Sequence, residues 1–510
     1  MEKLCRIAQL EEENVQLKAL VKYYEGQLKL ARHRQFGASS EKSEYDQLSI
    51  FNEAEATADV NVSEPELSEI ACHYRKKTRL VTDRLPENLP VEVVEHTLNP
   101  DELECESCSC KLHFMKYEKR RELVIIPAQV KIREHRRAIY ACRECEKDEF
   151  GDPIIKTPAL APVIKGSFAS PEAIAHIMVQ KFVMASPLYR QEQEWNRQGI
   201  MISRQTMSNW LLKACEDWLE PVYDALREIL LLQSVLHADE TTLQVLREPD
   251  KPPQSKSYIW LYRTSGDTQC PIVLYDYQPD RKAKRPKEFL SGFAGYLHSD
   301  GYDAYHGLPE DIVVVGCFAH ARRKWDEALK ATPENDNSKS NIMRGKQYCD
   351  QLFELERKFA ALNADEKLAN RQKFSKPLFE EFYGWCESLK ALPKSPLGAS
   401  VKYMLRQRKY LGRYLQDGRL EISNNRAERS IKPFVIGRKN FLFANTPRGA
   451  KASAIMYSII ETAKENGIDP FKYLVYIFTR APKAENFKNN YDVLGYMLPW
   501  CLLEDCTVGG

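Results

Sequence analysis

Long hydrophobic runs are missing from this 510-residue sequence. No apolar stretch approaches the roughly 20 residues of a membrane-spanning helix, and the N-terminus has no apolar signal-peptide core. Most of the 14 cysteines stand singly in apolar surroundings, as reduced core cysteines do inside cells. We therefore expect a cytoplasmic protein rather than a membrane protein or a disulfide-rich secreted one.

An excess of charge of one sign is also missing, because the net charge is only +2. That balance hides a strong local asymmetry. Residues 41–69 are acidic, poor in hydrophobic side chains and without periodicity, which predicts a flexible linker. Residues 406–451 are strongly basic, which indicates either a polyanionic substrate or a solvated charged face.

Three carboxylates stand where a metal site for phosphoryl transfer needs them. Asp239 and Asp300 each end an apolar run, at 234–238 and 295–299, and Glu428 lies on what we predict to be a short helical piece. A single strand-end aspartate is otherwise an ordinary cap or turn residue. Together the three predict a site for two Mg²⁺ (or Mn²⁺) ions, with Asp239 bridging both, Asp300 on one and Glu428 on the other.

A dense field of cations surrounds Glu428 in the sequence. One interpretation is a set of surface ion pairs. The other is that these side chains hold the phosphates of a nucleic acid beside the metal site. The predicted phosphate contacts in this segment are Arg426, Arg429, Lys432, Arg438 and Lys439.

The order of elements around the carboxylates predicts a ribonuclease-H-like α/β core. Three strands, a helix, a strand, a short helix and a strand is the order of that fold, in which the first and fourth strands end side by side. Asp239 and Asp300 would then be adjacent. The predicted strands are 234–245, 257–264, 271–277, 295–299 and 311–315, with helices at 281–292 and 317–329 and a helical insertion at 331–417.

The N-terminal residues 4–31 carry a heptad pattern of apolar side chains with Asn14 at a seam position. A polar seam residue commonly fixes the register of a coiled coil. The pattern favours a coiled-coil helix that associates with a second copy. The alternative is an amphipathic helix packed on its own domain.

Residues 74–159 are predicted to form strands at 91–95, 122–126 and 131–140, and two C-x-x-C pairs lie on either side of the last two strands. Each pair can form a knuckle that supplies two thiolates, so the pairs predict a structural Zn²⁺ site of the zinc-ribbon type. Cys110 is an alternative ligand to the second cysteine of the first pair. The predicted zinc ligands are Cys105, Cys108, Cys142 and Cys145.

Residues 171–182, 187–198 and 204–212 are predicted helices, with a turn at Gly199 and a cap at Ser203. A helix, a short glycine-containing turn and a capped helix form the helix-turn-helix pattern, which places its second helix in the DNA major groove. The alternative is an ordinary helical hairpin. The side chains predicted to contact DNA are Arg204, Gln205, Ser208 and Asn209.

Several motifs resemble those of insertion-sequence-66 family transposases, and the resemblance covers nearly the whole chain. HADET (237–241), SDGYDAY (299–305), GCFAHARRKW (316–325) and NNRAERSIKPFVIGRKNFLF (424–443) resemble the family's catalytic segments. The remaining matches are RQFGASSEK (34–42), the two C-x-x-C pairs, ISRQTMSNW (202–210), IDPFKYLVYIFTRAP (468–482) and GYMLPW (495–500).

The resemblance implies a DDE transposase of a bacterial insertion sequence, with Asp239, Asp300 and Glu428 as the DDE residues. Such an enzyme binds double-stranded DNA at the inverted repeats of its element, exposes a 3′-OH and joins it to target DNA. It would act at the nucleoid, with accessory proteins of the same element as candidate partners. The need to pair two DNA ends, together with the N-terminal heptads, predicts a homo-oligomer.

The GCFAHARRKW segment adds three further candidates. Arg322 and Arg323 are predicted phosphate contacts. His320 lies either near the metal site or in the core, and we expect packing or a DNA contact for it. The chain departs from the family pattern at Ser109 and Cys110, which follow the second cysteine where glycine is usual, and at Ala38, where a basic residue is usual.

We predict a multidomain α+β chain, and two rival functions remain open. One rival is a nuclease of the same fold that cuts without joining, and the other is a DNA-binding protein with an idle site. The predicted domains are a coiled-coil helix (1–35), a basic signature and acidic linker (36–73), a zinc-binding β module (74–160), a helix-turn-helix-like region (161–230), the first part of the core (231–330), the insertion (331–417), the second part of the core (418–466) and a C-terminal element (467–510).

Overall fold

The computed structural model describes residues 130–136, 139–141, 154–156, 161–333, 335–501 and 506. The three short stretches belong to one compact unit, and the residues from 161 onward belong to another. The predicted N-terminal helix, the acidic linker, the strands at 91–95 and 122–126 and the four zinc-site cysteines lie outside the described residues.

In the first unit, strand β1 (Ile139–Ala141) pairs antiparallel with β2 (Ile154–Lys156). The strand predicted at 131–140 is wrong over 131–136, where the chain is exposed and has no regular structure. A strand needs a partner for its backbone N–H and C=O groups. Pairing with β2 begins only at Ile139, and the Ile132 side chain stays 97% exposed, so apolar alternation alone did not make a strand here.

The second unit begins with the three predicted helices. They are α1 (Pro171–Phe182), α2 (Leu188–Arg197) and α3 (Arg204–Ala214). The Ser203 hydroxyl caps α3 by accepting from the Thr206 N–H at 3.1 Å, and Gly199 makes the turn with φ +76°. A π-helical turn (Cys215–Leu219) leads into α4 (Glu220–Leu231).

A five-stranded mixed sheet forms the centre of the second unit, with the order β5-β4-β3-β6-β7. β4 runs antiparallel to both of its neighbours, β3 and β5, whereas β3, β6 and β7 run parallel to one another. The predicted strand ends are correct to within two residues, because buried strands read as apolar runs. The strands are β3 (Val235–Gln244), β4 (Lys256–Thr264), β5 (Val273–Gln278), β6 (Gly295–His298) and β7 (Ile312–Val315).

Three helices connect these strands or follow them. The helix predicted at 281–292 is shorter than expected, because Asp280 holds Lys282 in a turn before the helix and Gly292 takes φ +91° after it. The helices are α5 (Lys284–Phe289), α6 (Asp303–His306) and α7 (Phe318–Ala331).

The sheet is buried on both faces, so successive residues of β3 join different cores. Val235 packs with α7 and the helices of the insertion, whereas Leu236 packs with the N-terminal and C-terminal helices. The insertion consists of α8 (Ser338–Lys358), α9 (Ala364–Asn370), a π-helical turn (Arg371–Ser375), α10 (Lys376–Ser388) and α11 (Pro396–Leu411).

A fully buried arginine, Arg371, ties the insertion to the segment that returns to the core. Its guanidinium binds the Glu356 carboxylate at 2.6 and 2.8 Å. It also donates to the carbonyls of Tyr414, Asp417 and Leu420 at 2.9, 2.8 and 2.7 Å. A buried ion pair is stable when further hydrogen bonds satisfy its remaining donors, as they do here.

The chain returns through α12 (Asn425–Phe441), which carries Glu428 and is longer than the short helical piece we predicted. Pro433 lies inside it without ending it, because Ala427, Ile431 and Phe434 are buried on both sides of the proline.

Within the described residues, no helix is both long and apolar enough to cross a membrane. The last helices are α13 (Pro447–Glu465), α14 (Pro470–Arg480) and α15 (Tyr491–Gly495).

Candidate active site

The register of β3 and β6 brings Asp239 and Asp300 to the same edge of the sheet. The two strands are parallel, and His237 pairs with His298. Each aspartate lies two residues beyond that pair in the same direction. Gly301 then lets α11 approach closely, because a Cβ there would lie 2.9 Å from the Tyr403 hydroxyl oxygen.

Asn424 holds the start of α12, and with it Glu428, against this edge. Its side-chain N–H donates to the Ala238 carbonyl at 2.7 Å, and its Oδ1 accepts from His237 Nδ1 at 3.0 Å. Its backbone N–H donates to Cys317 Sγ at 3.1 Å. Glu428 follows Asn424 by one helical turn. The bonds of Asn424 to Ala238 and His237, which directly precede Asp239, therefore hold Glu428 in place relative to Asp239.

His237 makes its hydrogen bond with Asn424 as a neutral imidazole. Burial lowers its pKa to about 3, and the charges of nearby arginines lower it too, whereas the bond with Asn424 raises it. Its ring stacks on that of His298 with centroids 4.3 Å apart and planes 11° apart. Two buried, neutral, stacked rings therefore lie on the paired strands, two residues before Asp239 and Asp300.

Three other carboxylates act on the charge of Asp239. Burial raises its pKa well above its ordinary value, and the charges of Glu240, Asp300 and Glu428 raise it further, against one backbone hydrogen bond that lowers it. Oε1 of Glu428 is buried and has no hydrogen-bond partner among the described residues. Burial and neighbouring carboxylates therefore dominate the surroundings of Asp239, and a divalent cation would offset both effects.

Glu240 is one of the carboxylates around Asp239, and it was not predicted from the sequence as a site residue. Its side chain is 2% exposed, pairs with Arg281 and accepts from the Tyr305 hydroxyl at 2.6 Å. Burial and the charge of Asp300 raise its pKa. The adjacent Asp-Glu pair in HADET was the available signal, since a second carboxylate inside a strand needs a partner when it is buried.

His320 and Arg323 both face Glu428. His320 Nδ1 lies 3.6 Å from Oε1, and Arg323 Nη2 lies 3.5 Å from Oε2. Of the two positions expected for His320, near the metal site or in the core, the structure shows the first, because α7 begins beside the start of α12. A DNA contact by His320 stays a prediction. Among the described residues, Cys317, His320 and Glu428 have ligand atoms that all lie within 4.8 Å of one another.

The predicted phosphate contacts differ in their exposure and in their intramolecular contacts. Arg429 and Lys432 are exposed on α12 beside Glu428, as is Lys439 further along. Arg438 is half-buried and donates to the Thr241 hydroxyl at 3.2 Å and to Thr242 on β3. Two others hold intramolecular partners, namely Arg426 with Glu421 at 2.7 Å and Arg322 with Asp350 at 2.5 Å.

The predicted DNA-contacting side chains of α3 lie on its outer face, opposite the buried Trp210. Arg204, Gln205 and Asn209 are exposed, and Ser208 is half-buried. Gln205 donates to the Asn209 side chain at 3.1 Å. The helix therefore presents a polar row of the kind that reads base edges.

Four family descriptions match this chain. "Transposase IS66 family" matches residues 166–452. The others are "Transposase C of IS166 homeodomain" at 23–94, "zinc-finger binding domain of transposase IS66" at 102–146 and "IS66 C-terminal element" at 458–500.

The chain is also similar to uncharacterised proteins of Sinorhizobium fredii. Protein y4hP is 32% identical over 415 residues, which is 75% of this chain and 73% of the relative. Protein y4jD is 29% identical over 457 residues, 86% of each chain. Protein y4qI is 30% identical over 405 residues, 76% of this chain and 72% of the relative.

Proposed function

The chain belongs to the IS66 family of insertion-sequence transposases, and from that membership we propose that it cleaves and joins DNA at a DDE site formed by Asp239, Asp300 and Glu428. One observation carries the proposal. Residues from two parallel strands and a helix, far apart in sequence, bring three carboxylates to one place, where Asp300 and Glu428 both raise the pKa of Asp239.

The sheet supports a ribonuclease-H-like core. Its order β5-β4-β3-β6-β7, with three antiparallel strands followed by two parallel ones, is the arrangement that the proposed fold requires. The first and fourth strands of the core, β3 and β6, are neighbours. The insertion and α12 then deliver Glu428 to the edge where those strands end.

The three carboxylates fit hard divalent cations. Oxygen ligands suit Mg²⁺ or Mn²⁺, and the buried, unpartnered Oε1 of Glu428 is an available ligand atom. Two such ions, when bound, supply charge neutralisation for the attacking and leaving oxygens of the phosphodiester. The residues of the chain orient the DNA, with Arg429 and Lys432 placed to contact its backbone and Arg323 placed to keep Glu428 in position.

The partners follow from the same proposal. The outer face of α3 would contact double-stranded DNA at the element's inverted repeats, and Cys105, Cys108, Cys142 and Cys145 would hold structural Zn²⁺. The N-terminal heptads would pair two copies, since two DNA ends must be joined in one event. We further propose that accessory proteins of the element are partners and that the protein acts at the nucleoid in the bacterial cytoplasm.

A strand-transfer assay tests this function. Labelled pre-cut DNA carrying the element's ends is incubated with Mg²⁺, a target plasmid and either the wild type or Asp239→Ala. We expect joined product from the wild type and none from the variant. The zinc content of both preparations, which we expect to be equal, controls for folding of the zinc module.

The product pattern separates the rival functions. Hydrolysis without joining would indicate a nuclease and overturn the proposal. Binding without cutting, even after the accessory proteins of the element are added, would indicate a DNA-binding protein with an idle site. Joining that persists in Asp239→Ala would overturn the assignment of the site.

A further inference from the structure

Cys317, His320 and Glu428, which we call the Cys–His–Glu cluster, combine sulfur, nitrogen and oxygen ligands at one point. Their ligand atoms all lie within 4.8 Å of one another. Cys317 and His320 are not among the three carboxylates of the proposed DDE site. Only Glu428 is common to both groups.

The spacing inside the cluster suits one ion. His320 Nδ1 and Glu428 Oε1 are 3.6 Å apart, which is longer than a normal hydrogen bond. Two ligands about 2.1 Å from one tetrahedral ion would lie about 3.4 Å apart. Both atoms are buried and lack a hydrogen-bond partner among the described residues, so each has a lone pair to offer.

The cluster is held in place by backbone hydrogen bonds between two helix starts. Cys317 precedes α7, His320 lies in its first turn, and Glu428 lies in the first turn of α12. The Phe318 N–H donates to the Ile422 carbonyl at 3.0 Å, and the Asn424 N–H donates to Cys317 Sγ at 3.1 Å. An N–H donated to sulfur is compatible with a metal-bound thiolate, and such outer bonds orient ligands before the ion arrives.

We propose that the Cys–His–Glu cluster is a second metal site, which takes a thiophilic divalent ion, Zn²⁺, and thereby withdraws Glu428 from Mg²⁺. Thiolate and imidazole favour Zn²⁺, whereas Mg²⁺ prefers oxygen ligands. Binding releases the thiol proton to solvent and forms the sulfur–zinc bond. The existence of the site is independent of the proposed function, and only its inhibitory consequence rests on that function.

Cobalt binding tests the site directly. Full-length protein carrying one equivalent of Zn²⁺, enough for the four-thiolate module alone, is titrated with Co²⁺, and the thiolate-to-cobalt charge-transfer band is recorded in the near ultraviolet. We expect a band in the wild type that is lost in Cys317→Ser and weakened at least about tenfold in apparent affinity in His320→Ala. Cys349→Ser, which removes a buried cysteine of α8, is the matched control and should keep the band.

The spectra decide the proposal whatever the enzymatic activity is. A band of equal strength in the wild type and Cys317→Ser would overturn it, and so would the absence of a band beyond that of the module. Thermal unfolding of Cys317→Ser shows whether the variant is folded. If Cys317→Ser is not folded, the cobalt affinity of His320→Ala is compared with that of Cys349→Ser instead.

The inhibitory consequence has its own measurement. Zn²⁺ is titrated into the Mg²⁺-dependent joining reaction of the wild type and Cys317→Ser. We expect half-inhibition of the variant to need at least about tenfold more Zn²⁺. Equal inhibition of both would overturn the competition for Glu428, whereas a preparation that joins no DNA would count against the proposed function and leave the cobalt result to decide the site.

Discussion

At the scale of single residues, Asn424 does most to place Glu428 against the sheet. It is 1% exposed and bonds Ala238 and His237 of β3 through its side chain and Cys317 through its backbone. Ala238 and His237 directly precede Asp239. Asn424 is therefore a positioning residue, which acts on the carboxylate site through the start of α12 without touching the reacting atoms.

Replacing Asn424 by alanine should weaken the site without removing a ligand. The loss of two buried hydrogen bonds should lower the free energy of unfolding by about 1–3 kcal/mol. It should also raise the Mg²⁺ concentration at which joining is half-maximal, because Glu428 would be less well placed. Asn440→Ala, on the exposed face of the same helix, is the control. A variant with changed stability but unchanged Mg²⁺ dependence would contradict the positioning role.

Asp276, on β5 and outside the candidate site, predicts a pH dependence of stability. Burial raises its pKa from 3.8 to about 6, against smaller lowering effects of Gln278 and nearby cations. Between these two values the folded protein keeps a proton that the unfolded chain releases. Its contribution to stability is therefore present below about pH 4 and is lost as the pH rises toward 6.

The comparison with Asp276→Asn isolates this effect. Urea midpoints of the wild type should fall relative to those of the variant between pH 4 and 6, by up to about 3 kcal/mol in free energy, and the difference should stay constant above pH 7. Groups common to both proteins cancel in the comparison. A difference that does not vary between these pH values would show that Asp276 titrates normally.

At the scale of elements, the packing of α12 on α13 depends on a glycine. A Cβ at Gly437 would lie 2.0 Å from the hydroxyl oxygen of Tyr457. That tyrosine cannot easily move, because its ring packs against Phe182, Tyr275 and Phe434. The helix that carries Glu428 therefore approaches its neighbour at a point where no side chain fits.

Two glycine-to-alanine changes in helices should act in opposite directions. Alanine stabilises a helix interior by about 1 kcal/mol relative to glycine, but overpacking a core costs about 1–3 kcal/mol. Gly437→Ala should therefore destabilise the protein. Gly384→Ala, on α10 with nothing within 4 Å of its Cβ position, should stabilise it. Chemical denaturation of both variants measures this, and shifts of the same sign would contradict the packing argument.

At the scale of the whole molecule, the sequence predicted the elements whose signals are local. The five strands of the sheet are apolar runs, and Ser203 and Gly199 mark the helix-turn-helix pattern by their own chemistry. The placement of Asp239 and Asp300 also followed from sequence, since parallel neighbours end at the same edge. Among the singly placed cysteines, Cys215, Cys317, Cys349 and Cys386 are buried as expected, whereas Cys270 is partly exposed.

Features that depend on distant contacts could not be predicted. Cys317 bonds Asn424 across 107 positions, so nothing local shows that His320 faces Glu428. Arg371 looks like an ordinary helical cation until Glu356 and three carbonyls surround it. A proline ordinarily ends a helix, but buried residues on both sides of Pro433 let α12 continue through it.

The central claim is that Asp239, Asp300 and Glu428 act as one site. Single-turnover joining rates of pre-cut ends in Mg²⁺ test it most directly, for Asp239→Asn, Asp300→Asn, Glu428→Gln and the control Glu387→Gln, an exposed acid of α10. We predict that each of the first three lowers the rate at least about a thousandfold, as removal of residues that act as a unit does, while the control joins at the wild-type rate. A rate within about tenfold of the wild type for any one of the three would contradict the claim.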